Sequence, residues 1–187
     1  PKSHSHLKVV VTMDGYLIQG NDLKAELETD YKFRTDNKTE IVGALLHKYL
    51  TEDGFTFQAG ERLIDKLHGR GTFALTALIH DGKETRLIAM TDDTAFEPLC
   101  YATIDGAFVV CSESCSHRRL GGQVGKEYDG GEMTLCSSSG IETRRLRESR
   151  MMPDVFQGVY FGNVGSVFRG KEIFQIRREL GLELTDH

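Results

Sequence analysis

"LCYATIDGAFVVCS", residues 99–112, is the stretch that decides the fold. Two runs rich in β-formers flank Asp105-Gly106, and Asp-Gly between strands at two-residue spacing is the signature of a type I′ hairpin. In that register Cys100 sits opposite Cys111. A disulfide is conceivable there, although two buried thiols are the favoured reading.

Working outward, further short strands surround this hairpin. Thr72–His80 (TFALTALIH) and Arg86–Thr91 (RLIAMT) are separated by Asp81-Gly82. Glu132–Cys136 and Ile141–Leu146 are joined by Ser137-Ser138-Ser139-Gly140, and Leu7–Thr12 (LKVVVT) reads as a buried strand ending near Asp14-Gly15. Val155–Phe161 (VFQGVYF) adds a further extended run before the last helix. The period then changes to that of helices. Asn21 or Asp22 can cap a helix through Glu28. Val42, Leu45, Leu46 and Tyr49 form one stripe within Thr39–Leu50, and Leu63, Ile64 and Leu67 another within Ala59–His68. Lys171–Leu180 closes the series, with Ile173, Ile176 and Leu180 on its inner face. Helices followed by consecutive antiparallel hairpins predict an α+β fold, with helices packed on one sheet face or between sheets.

The chain has 187 residues, 39% hydrophobic and 27% charged, enough for one domain with a real core. A net charge of −5 and no basic stripe with interleaved aromatics exclude nucleic acid as a first expectation. Arg144, Arg145, Arg147 and Arg150 read as a solvated strand end. No apolar run is long enough to span a bilayer, so no membrane partner is expected. Four cysteines without CxxC spacing suggest a reduced, cytoplasmic protein.

Several chemical motifs are incomplete. "GSVFRGKE", residues 165–172, nearly spells a phosphate-binding loop, but Glu172 takes the place of the magnesium-binding hydroxyl and would repel phosphate. His4-x-His6 lacks a third ligand and reads as a tail. His47 and His68 fall on helices as surface or packing histidines. Cys115 is the most accessible-looking thiol, beside Ser114, Ser116 and His117; a Cys–His nucleophile is one reading there, disfavoured because adjacent residues of a strand point to opposite faces. No cofactor or metal is expected.

Taken in order, "MDGYLIQGNDL", "FRTDNKTEI", "GTFAL", "TDDTAFEPL", "FVVCSESC", "DGGEM" and "VFQGVYFG" resemble the amidophosphoribosyltransferase family of purine synthesis. The resemblance is to its class II glutamine amidotransferase half and runs from about Leu7 to Gly181, within a single domain of residues 1–187; residues 151–187 are similar to the passage into a phosphoribosyltransferase domain. It implies an N-terminal-nucleophile hydrolase fold, of αββα type and here incomplete. It also implies an N-terminal cysteine that attacks the glutamine amide, an Asn-Gly corner that supplies oxyanion donors, and an Asp that holds the substrate's ammonium.

Carried over by residue, the resemblance puts Asp14 where the oxyanion Asn belongs and Lys38 where the ammonium-binding Asp belongs. Glu97 replaces the Arg of R-P-L, and Gln157 the Glu before Val-Tyr-Phe. Gly15, Thr39 and Glu40 match. The nucleophilic cysteine belongs upstream of the corner, yet the chain opens at Pro1 just before it. The expected pocket is therefore a vestigial glutamine site of Asp14, Gly15, Lys38 and Thr39, with no catalytic residue assigned. Its occupant is glutamine or another small ligand, unless Asp14 and Lys38 simply pair. The domain would serve as a binding, regulatory or scaffold module, with a protein partner or in a homo-oligomer. The alternative is a fragment or split subunit of an active amidotransferase whose cysteine is supplied elsewhere.

Overall fold

A computed structural model describes residues 6–185, so His4 of the His4-x-His6 pair lies outside the described residues. The chain forms two compact units, residues 6–97 with 129–151 and residues 98–128 with 152–185.

The first unit is a five-stranded antiparallel sheet with three helices. Its strands are β1 (Lys8–Leu17), β2 (Gly71–His80), β3 (Thr85–Thr91), β7 (Glu132–Ser137) and β8 (Gly140–Arg145), in the order β1-β2-β3-β7-β8. The helices are α1 (Gly20–Leu27), α2 (Lys38–Asp53) and α3 (Phe57–Leu67). Val42, Leu45, Leu46 and Tyr49 of α2 and Leu63, Ile64 and Leu67 of α3 are all buried. They meet Leu75, Ala77, Ile79, Ile88, Met90 and Met133 of the sheet in one core, with Val9, Val11 and Met13 of β1 packed against it. The predicted apolar stripes are therefore the faces that fold the unit. Burying each such side chain is worth about 1.5–3 kcal/mol.

β1 is longer than its β-branched run suggests. It passes straight through Asp14-Gly15, with Asp14 opposite Ala74 and Gly15 opposite Phe73. Ten consecutive register pairs with β2 outweigh the local turn preference of Asp-Gly. Gly15 adopts φ +131°, and a Cβ there would collide with the Thr72 carbonyl oxygen and lie 2.8 Å from Phe73 Cα. The Gly is a condition of the close approach between β1 and β2.

The sheet face away from the helices carries side chains in transverse rows. Val10, Leu78, Leu87, Cys136 and Ile141 stand in register across all five strands. Val10 is 64% exposed, Leu78 50% and Ile141 47%. In the next row, Thr12 and Thr76 share a hydroxyl hydrogen bond of 2.7 Å, as do Thr134 and Thr143.

The second unit contains β4 (Cys100–Ile104), β5 (Ala107–Cys111) and β6 (Lys126–Glu127) as a sheet in the order β5-β4-β6. Its helices are α4 (Cys115–Arg119) and α5 (Ile173–Glu183). Asp105 and Gly106 have φ of 49° and 82°, the doubly left-handed turn that the type I′ reading requires. Cys100 does face Cys111, and both are free thiols.

Two expectations change in this unit. Val155–Phe161 is not a strand: Gln157–Phe161 forms a single π-helical turn closed by Gly162 N–H on the Gln157 carbonyl. On the last helix only Ile173 is buried, while Leu180 is 42% exposed, so its inner face is shorter than the i, i+3, i+7 spacing suggests. The phosphate-loop-like stretch is a small hairpin, β9 (Val167–Phe168) and β10 (Lys171–Glu172), turning at Arg169-Gly170. Its Lys171 pairs with Glu179 rather than facing an anion loop.

Candidate functional site

The anticipated pocket residues lie in the first unit, Asp14 and Gly15 within β1 and Lys38 and Thr39 in the first turn of α2. Asn37 begins α2 from an extended conformation, and its side-chain oxygen accepts the Thr39 N–H at 2.9 Å. That is the N-cap chemistry which starts the helix at this point. Glu40, three residues on, turns back over the preceding loop. Its two carboxylate oxygens accept the Arg34 and Thr35 N–H groups at 2.9 Å each and the Thr35 hydroxyl at 2.6 Å. These bonds, the Thr35 hydroxyl first, hold the Glu40 carboxyl below its usual range.

Lys38, the first residue of α2, lies across the start of α1. A Cβ on Gly20 would come within 2.7 Å of its side chain, so the glycine makes room for the lysine stem. The ammonium then donates to Asn21 Oδ1 at 3.1 Å.

Asp14 stands on the opposite side of β1. By strand alternation it shares a face with Thr12 and Tyr16, while Val11 and Met13 point to the helices. Among the described residues no ion pair joins Asp14 to Lys38, and the anticipated pairing in the vacated site is not made. A carboxylate offers acceptors only, so Asp14 cannot donate to an oxyanion.

Beside this corner, β1, α2 and the 31–37 loop enclose a cleft of about 620 Å³. Val9, Val11 and Gly43 line its apolar part, and Thr39, Glu40 and His47 its polar part. Of the anticipated pocket residues, Thr39 lines this cleft. Tyr31, also on its wall, shares a 2.8 Å hydrogen bond with His47 Nδ1. Burial pushes the Tyr31 phenol up to about 12, so it stays neutral at any physiological pH. His47 is thus a bonded cleft residue, not the plain packing histidine its helical position suggests. His68 Nδ1 lies 3.3 Å from the buried Asp93 carboxylate.

Two relationships escape sequence reasoning. The Lys38–Asn21 bond spans 17 residues and joins two helix starts, with no spacing to signal it. The His117 ring meets Cys111, not Cys115, because residues 115–119 form a helical turn instead of a strand. The arginine-rich end of β8 is a set of ion pairs: Arg144 with Glu142, Arg145 with Asp129 and Arg147 with Asp65. No helix of the described residues is long and apolar enough to cross a membrane.

A family model described as a glutamine amidotransferase domain matches residues 1–116. The amidophosphoribosyltransferase of Archaeoglobus fulgidus is 32% identical over 179 residues, covering 95% of this chain and 38% of that protein. The amidophosphoribosyltransferase of Bacillus subtilis is 24% identical over 188 residues, covering 98% and 37%. The solved structure of glutamine phosphoribosylpyrophosphate amidotransferase from Bacillus subtilis, complexed with ADP and GMP, superposes with a TM-score of 0.79 at 24% identity, over 96% of this chain and 38% of that one. A second structure, of the allosteric regulatory enzyme of purine biosynthesis, gives 0.80 at 23% identity. The chain thus spans less than half the length of these relatives, and the antiparallel sheets and helices are those of the N-terminal-nucleophile amidotransferase fold.

Proposed function

This chain belongs to the glutamine amidotransferase domain family, and from that premise we propose that it keeps the family's frame without hydrolysing glutamine, acting as a binding, regulatory or scaffold module. One observation carries the reading. At the corner that the resemblance assigns to the oxyanion, the residue beside Gly15 is the acceptor-only carboxylate of Asp14. The cation of Lys38 meanwhile stands where a carboxylate would hold the substrate's ammonium, and it is spent on Asn21. An oxyanion forming beside Asp14 meets repulsion where it needs a donor. Loss of one oxyanion donor alone costs about 10²–10³ in rate.

What remains supports binding. Gly15 keeps its left-handed backbone, Asn37 and Glu40 keep the loop before α2 in place, and the cleft lined by Thr39 and Glu40 has the volume of a small-molecule site. Glutamine or another small ligand is its proposed occupant.

Association with a protein partner or a second copy is supported by two exposed apolar features. One is the five-strand row from Val10 to Ile141, and the other is Phe156, Val159, Tyr160 and Phe161 around the π-helical turn. Exposed patches of this kind mark interaction surfaces.

A second reading, a fragment or split subunit of an active amidotransferase, is favoured by β1 itself. β1 is the edge strand of its sheet, and ten residues of open edge form a template for another strand. The experiment that separates the two readings is co-expression with a polypeptide carrying the cysteine segment of a related amidotransferase, followed by assay of glutamate release from the purified complex. The module reading expects a complex without glutamate release, and the split-subunit reading expects glutamine-dependent release.

A further inference from the structure

Cys100 and Cys111 face each other across the β4–β5 hairpin with their Sγ atoms 3.5 Å apart. The Cys111 sulfur also lies 3.1 Å from Nε2 of His117, a ring with no exposed surface. On its other side, His117 Nδ1 accepts the Gly125 N–H at 3.3 Å. A ring nitrogen that accepts keeps its lone pair, so the proton of the neutral imidazole sits on Nε2, the nitrogen 3.1 Å from the Cys111 sulfur. The Cys111 thiol donates to the Glu113 carbonyl at 3.1 Å, and once that proton leaves, the Nε2–H of His117 on one side and the Cys100 thiol on the other stabilise the thiolate.

Three soft donor atoms within 4.8 Å of one another also suggest a cation site. A tetrahedral zinc site, with bonds of about 2.3 Å to sulfur and about 2.0 Å to nitrogen, needs a bare Nε2 lone pair and a proton on Nδ1. Here Nδ1 faces a backbone N–H, and two donors would confront each other. The tautomer selects thiol chemistry over metal binding.

We propose that Cys100 and Cys111 form a redox-active dithiol, converted to an intrachain disulfide by exchange with low-molecular-weight disulfides. The exposures set the order of events. Cys111 is partly exposed and can reach a small disulfide, whereas Cys100 is 2% exposed and lies with its sulfur 3.5 Å from that of Cys111. The Cys111 thiolate attacks one sulfur of the small disulfide, forming a mixed disulfide and expelling one thiolate. Cys100 then loses its proton and attacks the Cys111 sulfur, expelling the second thiolate, which like the first is protonated by the two protons the dithiol gives up. The protein loses two electrons and two protons, and the small disulfide becomes two thiols. Directly paired antiparallel residues have Cα separations that a disulfide can bridge without moving either strand. The first step is set by the Cys111–His117 contact; bond formation in the second is set by the strand register.

The test is equilibration of the chain in glutathione buffers of graded poise, acid quenching, alkylation of remaining thiols and peptide mass spectrometry. The expected result is a Cys100–Cys111 link with Cys115 and Cys136 alkylated. In the Cys100→Ser variant, glutathione should remain trapped on Cys111, added roughly tenfold faster than on Cys115 because the thiolate fraction sets the rate. In Cys111→Ser, Cys100 should stay unmodified, which guards against a misfolded first variant. Alkylation of both cysteines at the most oxidising poise would overturn the proposal. So would a link through Cys115, or protection of both thiols by one equivalent of zinc.

Discussion

Lys38 donates to Asn21 Oδ1 at 3.1 Å, and so the charge at the start of α2 is bound to the start of α1 rather than to Asp14. On the proposed reading, the bond keeps a cation at the place where a substrate ammonium would be received. Asp14 shares its face of β1 with Thr12 and Tyr16, and among the described residues no ion pair joins it to Lys38. On that reading the corner keeps its backbone geometry without the electrostatics of a glutamine site.

Gly15→Ala tests that backbone geometry. Its φ of +131° and the approach of Thr72 and Phe73 leave no room for a Cβ. The expected loss is about 2–4 kcal/mol from strain and steric displacement, read as a lower denaturant midpoint. Wild-type stability in this variant would show that β1 and β2 can separate at this point.

Glu40→Ala removes the acceptor for three donors in the loop before α2. Hydrogen exchange at the Arg34 and Thr35 amides should quicken markedly, while exchange in β2 and β3 stays as it was. Slow exchange at both amides would mean that another group holds the loop.

Leu46→Ala probes the core on which the corner rests. Leu46 has no exposed surface and sits among the buried residues of α2, α3 and the sheet. Truncation should cost about 2–5 kcal/mol, measured by denaturant unfolding. A loss below 1 kcal/mol on the same scale would place the side chain outside the core.

Acid stability should show the signature of Glu84. Its carboxylate accepts the Ser138 N–H at 2.7 Å and the Arg86 Nε–H at 2.9 Å, linking the β2–β3 turn to the β7–β8 turn. The Ser138 hydrogen bonds, then Arg86, hold its pKa down to about 2. A depressed carboxylate pKa gives stability that is present above the unfolded value, about 4.3, and is lost as pH falls toward the folded value. Melting temperatures of wild type and Glu84→Gln should therefore differ at pH 6 and converge as the pH drops through that window. Parallel curves would remove Glu84 from the acid response.

Much of this fold is legible in the sequence because its signals are local. The Asp105-Gly106 turn and the stripes of α2 and α3 appear where spacing and turn chemistry place them. Reading failed where partners outside the segment decide. The first strand reads as ending near Asp14-Gly15 until β2 claims all ten residues of β1. VFQGVYF is rich in β-formers, yet Gln157–Phe161 winds into a π-helical turn. The candidate site is legible as residue types only. Asp14, Lys38 and Thr39 could be named, whereas the destination of the Lys38 ammonium and the cleft beside Thr39 depend on how α1 and α2 begin.

The most direct test of the central claim is glutamate release from glutamine by the protein in its natural full-length form, beside an Asp14→Asn, Lys38→Asp double variant that restores the expected polarity at the corner. The account predicts no glutamine-dependent release from the unsubstituted protein above a no-protein control. Glutamine-dependent release from the unsubstituted protein above that control would contradict it.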